Sequence, residues 1–141
     1  MKHICIVYQS KTGTTKRFAK SIAGFFNPAG FNVKVFSVEN ADYESIGMAD
    51  ILFLGCWTSG AFIILQKPDK EWKTFACNLK NIDNKRIVLF TTYKIATGSM
   101  FRNMKKYLKV SKENDIFYLK SRTGNLDKTN QERLNKILVL N

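Results

Sequence analysis

Five short apolar runs, each followed by a helix or helix-like segment, predict a doubly wound α/β fold. That fold is a three-layer sandwich in which a five-stranded parallel sheet lies between helices. Two observations support it. His3–Gln9 ("HICIVYQ") and Asp50–Gly55 ("DILFLG") are apolar at successive positions rather than alternating, as strands covered on both faces are. The segments between the strands carry apolar stripes at helical spacing, and right-handed crossovers send such helices to both faces of the sheet. No repeat, low-complexity tract or interdomain linker interrupts the pattern, so residues 1–141 are expected to form a single domain.

Each element follows from its local pattern. His3–Gln9 is the first strand, and Thr14–Phe26 is a helix with Phe18, Ile22, Phe25 and Phe26 on one face. "PAG" at 28–30 marks a turn, after which Asn32–Val38 alternates as the second strand. Tyr43–Met48 is a short helix and Asp50–Gly55 the third strand. Residues 56–68 form a long loop, and Asp69–Leu79 is a helix that starts just after Pro68. Lys85–Thr91 is the fourth strand. Ser99–Lys109 is a helix with Met100, Phe101, Met104 and Leu108 inward and Arg102, Lys105, Lys106 and Lys109 outward. Asp115–Lys120 is the fifth strand. The last helix opens at Thr129, where Glu132 three positions on completes a capping box, and Leu134, Ile137 and Leu138 form its buried stripe.

Composition narrows the function classes. A hydrophobic content of 45%, with 11 Phe, 5 Tyr and 2 Trp, excludes disorder. No apolar run approaches the roughly 18 residues of a membrane span. The N-terminal "MKHICIVYQS" has too short an apolar stretch for a signal peptide, so a cytoplasmic location is expected. Three widely spaced cysteines, Cys5, Cys56 and Cys77, argue against both a disulfide framework and a zinc site. His3 is the only histidine, which excludes a Ser-His-Asp triad or a His-ligated metal. The net charge is +12, residues 1–38 hold no carboxylate, and Asn84–Lys112 holds eight Lys or Arg and none. Charge of this size favours anionic partners. No helix-turn-helix, zinc or RNP-type pattern accompanies it, so nucleic acid is not the expected partner.

Ligands of doubly wound folds sit outside the carboxyl ends of the strands, where strand order reverses. The candidate segments are therefore the loops 9–15, 55–68 and 91–99. In the first, "SKTGTT" leads straight into a helix, so Ser10, Lys11, Thr12, Gly13, Thr14 and Thr15 surround its N-terminus. A helix N-terminus presents unpaired N–H groups and partial positive charge, and phosphate is its natural guest. Gly13 allows an unusual dihedral and close approach, while four hydroxyls add donors where one would suffice for a cap. A hydroxyl-rich cap without a ligand is the alternative. Gly-x-Gly-x-x-Gly is absent, and Lys20–Ser21 follows Ala19 rather than the glycine of a Walker A motif.

"SKTGTT" resembles the flavodoxin phosphate loop, Ser/Thr-x-Thr-Gly-x-Thr, placed directly after the first strand. The resemblance to short-chain flavodoxins covers nearly the whole chain, in length, strand count and loop positions. It implies the strand order 2-1-3-4-5 with FMN at the switch point, a geometry carried over from the family. It also implies that Cys56, Trp57, Thr58, Ser59, Gly60 and Ala61, in "GCWTSGAF", form one wall of the flavin ring site. Ser59–Gly60–Ala61 is similar to the family segment whose peptide rotates so that a carbonyl accepts the flavin N5–H. Thr92, Tyr93, Lys94, Ile95, Thr97 and Gly98, in "TTYKIATG", match the second flavin loop, with either Tyr93 or Ile95 as the opposite wall.

Two departures stand out. "AFIILQK" replaces the acidic residues that commonly follow the first flavin loop, and Phe62–Leu65 is either a docking patch or local core. The site is rimmed by Lys67, Lys94 and the Arg102–Lys109 helix where relatives carry carboxylates. Positive groups favour anionic reduced forms of a bound flavin, so a less negative second reduction step is expected.

The resemblance implies an FMN-binding electron carrier that passes low-potential electrons between redox proteins. From the basic surface, partners with acidic docking surfaces are expected, and a monomer is expected. Other readings are a flavodoxin-like FMN-dependent reductase, a flavoprotein that activates a ribonucleotide reductase, and a basic anion- or nucleic-acid-binding module without flavin. The chain has little length for the substrate pocket of a reductase. It also lacks the Gly-Asn-rich second loop of the activators.

Overall fold

The computed structural model describes residues 2–58, 67–112 and 114–139. The strands are β1 (His3–Gln9), β2 (Asn32–Ser37), β3 (Ile51–Trp57), β4 (Arg86–Thr92) and β5 (Ile116–Ser121). The helices are α1 (Thr14–Phe26), α2 (Tyr43–Met48), α3 (Lys70–Asn78), α4 (Met100–Tyr107) and α5 (Lys128–Val139). All strand pairs are parallel and the order is β2-β1-β3-β4-β5, as the resemblance implies.

Alternate residues of the central strands feed two cores, and both cores are apolar. Ile4, Ile6, Phe53, Val88 and Phe90 meet Phe18, Ile22 and Phe26 of α1 and Leu134 and Ile137 of α5. Cys5, Val7, Leu52, Leu54, Ile87 and Leu89 meet Ile46 of α2, Trp72 and Phe75 of α3, and Met100 and Met104 of α4. This double burial explains the unbroken apolar runs. Among the described residues no helix is long and apolar enough to cross a membrane.

Three expectations need correction. The strand ends shift: β2 stops at Ser37 and Val38 enters a 3₁₀ turn, while β3 and β4 continue to Trp57 and Thr92. The pair Trp57↔Thr92 adds a rung that no local signal specifies. α4 is shorter than Ser99–Lys109, and Leu108 is its buried C-cap. Finally, α5 is not capped by a box from Thr129 to Glu132. Asp127 caps it: its Oδ1 accepts the Asn130 N–H at 2.8 Å and its carbonyl accepts the Gln131 N–H at 3.0 Å. A carboxylate at the positive helix end is the stronger cap, and it places Thr129 inside the first turn.

Gly55, opposite Phe90 in the β3–β4 pair, leaves the space that the Phe90 ring fills. A Cβ there would lie 2.1 Å from Phe90 Cε2, and Phe90 packs edge-on to Phe18 at 5.8 Å. Gly55→Ala is therefore expected to destabilise the fold by about 1–3 kcal/mol, the usual cost of overpacking. Urea denaturation checks this as a lower midpoint with an unchanged slope.

Candidate functional site

Parallel register brings the strand ends together. Gln9 pairs with Cys56, Trp57 with Thr92, and Thr92 with Ser121, so the segments after β1, β3, β4 and β5 open at one edge of the sheet. The segment after β1 lies beside the switch point between β1 and β3.

Gly13 is the N-cap of α1, at φ 96° in the left-handed region, with no side-chain cap. Ser10 Oγ accepts the N–H groups of Gly13 (3.1 Å) and Lys16 (3.3 Å), and the Gly13 carbonyl accepts the Arg17 N–H at 2.9 Å. These bonds fold residues 10–13 back over the helix end. The N–H groups of Thr14 and Thr15 find no acceptor among the described residues. No acidic residue lies in the first turn.

The four hydroxyls do different things. Ser10 shapes the bend, and Thr12 and Thr14 face each other at 3.5 Å on the open side. Thr15 is fully buried, and its Oγ1 lies 2.6 Å from Thr92 Oγ1. Thr15 thus ties α1 to β4 rather than adding a donor to the loop. A cleft of about 440 Å³ runs from Gly13 along Lys16, Arg17, Lys20 and Ser21. A wider cleft of about 770 Å³ lies at the opposite edge, where the Lys85 ammonium is occupied by the Gly47 and Ala49 carbonyls at 2.7 and 2.6 Å. Its mixed Asp, Lys and Arg lining offers no converging set of free donors, and the volume alone does not make it the site.

Trp57 is half-buried at the end of β3. Its Nε1 is buried without a hydrogen-bond partner among the described residues, and Lys11 Nζ sits 4.9 Å from the ring centroid. Thr58 donates its N–H to the Thr92 carbonyl (2.8 Å), and its hydroxyl pairs with that of Thr91 at 2.8 Å. Thr91 Oγ1 in turn donates to the Cys56 carbonyl at 2.6 Å. Cys56 itself is fully buried, its Sγ accepting the Asp69 N–H at 3.4 Å, so its side chain belongs to the core and not to the mouth. Ser59, Gly60 and Ala61, like Phe62–Leu65, lie outside the described residues.

On the other side, Tyr93 donates its N–H to the Ser121 carbonyl (3.2 Å), and its ring is faced by Arg122 at 5.4 Å and Lys120 at 5.8 Å. Lys94 is exposed and Ile95 is 72% exposed at the loop tip. The Thr97 carbonyl accepts the Met100 N–H at 2.8 Å, so Thr97 and Gly98 lead into α4.

The turn after β5, "SRTGN" at 121–125, is not one of the three candidate loops, yet it bonds to Ile95 in one of them and to Arg17 in the first turn of the helix that follows another. The sequence does carry a signal for it: a Thr-Gly turn at the carboxyl end of a strand, in a fold whose ligands gather at those ends.

A bend at the N-terminus of α1, beside the switch point of a five-stranded parallel sheet, is the arrangement of a doubly wound α/β protein. The family model for the flavodoxin domain matches residues 5–137, and the chain belongs to the flavodoxin family. It is 28% identical over 102 residues to the flavodoxin of Clostridium beijerinckii, covering 72% of each. Two of the solved structures that share its fold are flavodoxins. One is a short-chain flavodoxin associated with a PDU bacterial microcompartment (16% identity, TM-score 0.73, 96% and 93% covered). The other is two-electron reduced Megasphaera elsdenii flavodoxin (18%, TM-score 0.70, 94% and 96% covered). Flavodoxins bind FMN and carry electrons.

The residues present fit that cofactor. The Thr14 and Thr15 N–H groups suit a phosphate, and the unpaired Trp57 Nε1–H suits a polar ring edge. Burial pushes the Cys5 and Cys56 thiols from 9.0 up to about 12, whereas Cys77 is exposed. Iodoacetamide is therefore expected to label Cys77 in the folded protein and Cys5 and Cys56 only after denaturation. The two raised values also set a pH dependence. Between pH 9 and about 12 the folded state keeps protons that the unfolded chain releases, so stability falls as pH rises. Each thiol contributes a slope of about 1.4 kcal/mol per pH unit. Cys5→Ala and Cys56→Ala should each flatten that fall in alkaline melts.

Proposed function

We propose that this chain is an FMN-binding electron carrier in which Ser10, Lys11, Thr12, Gly13, Thr14 and Thr15 form the phosphate loop. Thr14 and Thr15 donate their N–H groups to the phosphate, Ser10 holds the bend, and Thr15 fixes the helix to β4. The segments Trp57–Ala61 and Thr92–Gly98 would hold the flavin ring, with Trp57 on one side and Tyr93 or Ile95 on the other. FMN supplies the one- and two-electron chemistry when bound; the chain binds it, orients it and sets its electrostatic surroundings. The observation that carries this reading is the left-handed Gly13 cap, followed by two N–H groups without an acceptor among the described residues and a first turn without acidic residues. No side chain is assigned as acid, base or nucleophile.

Lys94 and Ile95 are exposed in the segment after β4, and Lys120 and Arg122 lie beside the Tyr93 ring, so these residues would meet a partner that exchanges electrons with the cofactor. An apolar tip within a cationic rim suits a protein partner with an acidic docking surface.

Protein freed of flavin is expected to take up FMN at micromolar concentration with quenching of its fluorescence; absence of uptake contradicts the assignment. An alanine at position 13 relaxes from a backbone region that costs about 1–2 kcal/mol per L-residue, so Gly13→Ala should weaken FMN binding about 5- to 30-fold. The sign of the field is tested separately with small oxidants. Ferricyanide, a trianion, takes one electron from the reduced protein to become ferrocyanide, and this reaction should slow as salt is added. The cation hexaamminecobalt(III), reduced by one electron, should show the opposite trend; reversed trends contradict an acidic partner.

A further inference from the structure

We propose that the turn after β5, residues 121–125, is a brace that couples the phosphate loop to the ring loop, and that Arg122 is a positioning residue for 93–98. The inference rests on the FMN reading above. Towards α1, Arg17 Nη1 donates to the Thr123 carbonyl at 2.9 Å and Ser21 Oγ donates to the Gly124 carbonyl at 3.0 Å. Gly124 has φ 85°, and a Cβ on it would lie 2.7 Å from the carbonyl oxygen of Thr14, the first residue of α1. Backbone therefore packs on backbone beside the Gly13 bend, where only glycine fits.

Towards the ring loop, the Ser121 carbonyl accepts the Tyr93 N–H at 3.2 Å, and Arg122 Nη2 donates to the Ile95 carbonyl at 3.3 Å. The same guanidinium lies 5.4 Å from the Tyr93 ring centroid. One planar side chain thus holds both candidates for the outer wall, Tyr93 by its face and Ile95 by its carbonyl. Lysine is a poor substitute, since a point charge does not meet a ring face and a carbonyl in one fixed geometry.

The turn is also held internally, which lets it transmit position from one loop to the other. Ser121 Oγ accepts the Gly124 N–H and donates to the Asn125 carbonyl, both at 3.0 Å, and Thr123 Oγ1 accepts the Asn125 N–H at 3.1 Å. Ser121 is only 7% exposed. Displacing Gly124 therefore moves the carbonyl that anchors Tyr93, and displacing Tyr93 bears on the start of α1.

The experiment compares FMN with riboflavin, which has the same ring and no phosphate, by fluorescence titration of flavin-free protein. Arg122→Ala is expected to weaken both flavins by the same factor, about fivefold for one hydrogen bond and one ring contact. Arg122→Lys should fall between the two. Gly124→Ala, or Arg17→Gln where that variant fails to fold, should weaken FMN more than riboflavin. In the double variant the combined loss of FMN affinity should differ from the product of the single losses, the mark of coupled sites. A purely structural role would lower the melting temperature of the flavin-free protein without producing the FMN-to-riboflavin split. If the wild-type protein binds flavin and Arg122→Ala is indifferent, or the losses multiply, the brace is overturned. If the wild type takes up neither flavin, the cofactor reading falls and this inference with it.

Discussion

The site depends on one local conformation, the left-handed backbone at Gly13. By turning the chain at the first residue before α1, it lets the helix begin with its N–H groups uncovered. Any residue with a Cβ resists that turn, and a carboxylate in the first helical turn would compete for the donors; the N-cap is glycine and the first turn holds no acidic residue. Ser10 then satisfies the two N–H groups that flank the gap and leaves those of Thr14 and Thr15 without an acceptor among the described residues.

The rest of the fold serves that bend. β1 lies inside the sheet between β2 and β3, so its end cannot move without disturbing two ladders. Phe18, Ile22 and Phe26 fix α1 against the sheet, and the Thr15–Thr92 hydroxyl pair carries the same constraint across to β4. Electrostatics acts over a longer range. The net charge is +12, and cations lie beside both Trp57 and Tyr93, so the field near the strand ends is positive.

Much of this is readable in the residues. The helix Thr14–Phe26 has the ends its sequence predicts, because its apolar spacing and the glycine before it agree. Tyr43–Met48 does so as well, with Asp42 as its cap. The layer architecture follows from strands that are apolar on both faces. Strand ends are less readable, because Trp57 and Thr92 join the sheet through pairing with each other, a non-local event. The cap at Asp127 escapes a sequence reading because threonine and aspartate compete at neighbouring positions, and only the entry of the chain into α5 decides between them. Cys56 and Thr15 carry site-like positions but bury their side chains; strand phase and a cross-strand partner settle that, not residue type. The 121–125 turn gains its role only once the register sets Ser121 beside Thr92.

The most direct test of the central claim is amide-proton NMR of the flavin-free protein as ligand is added. The account predicts that FMN moves the Thr14 and Thr15 amide protons strongly downfield, that inorganic phosphate moves them in the same direction, and that riboflavin leaves them nearly in place. Saturating FMN that leaves those two resonances unshifted would contradict it.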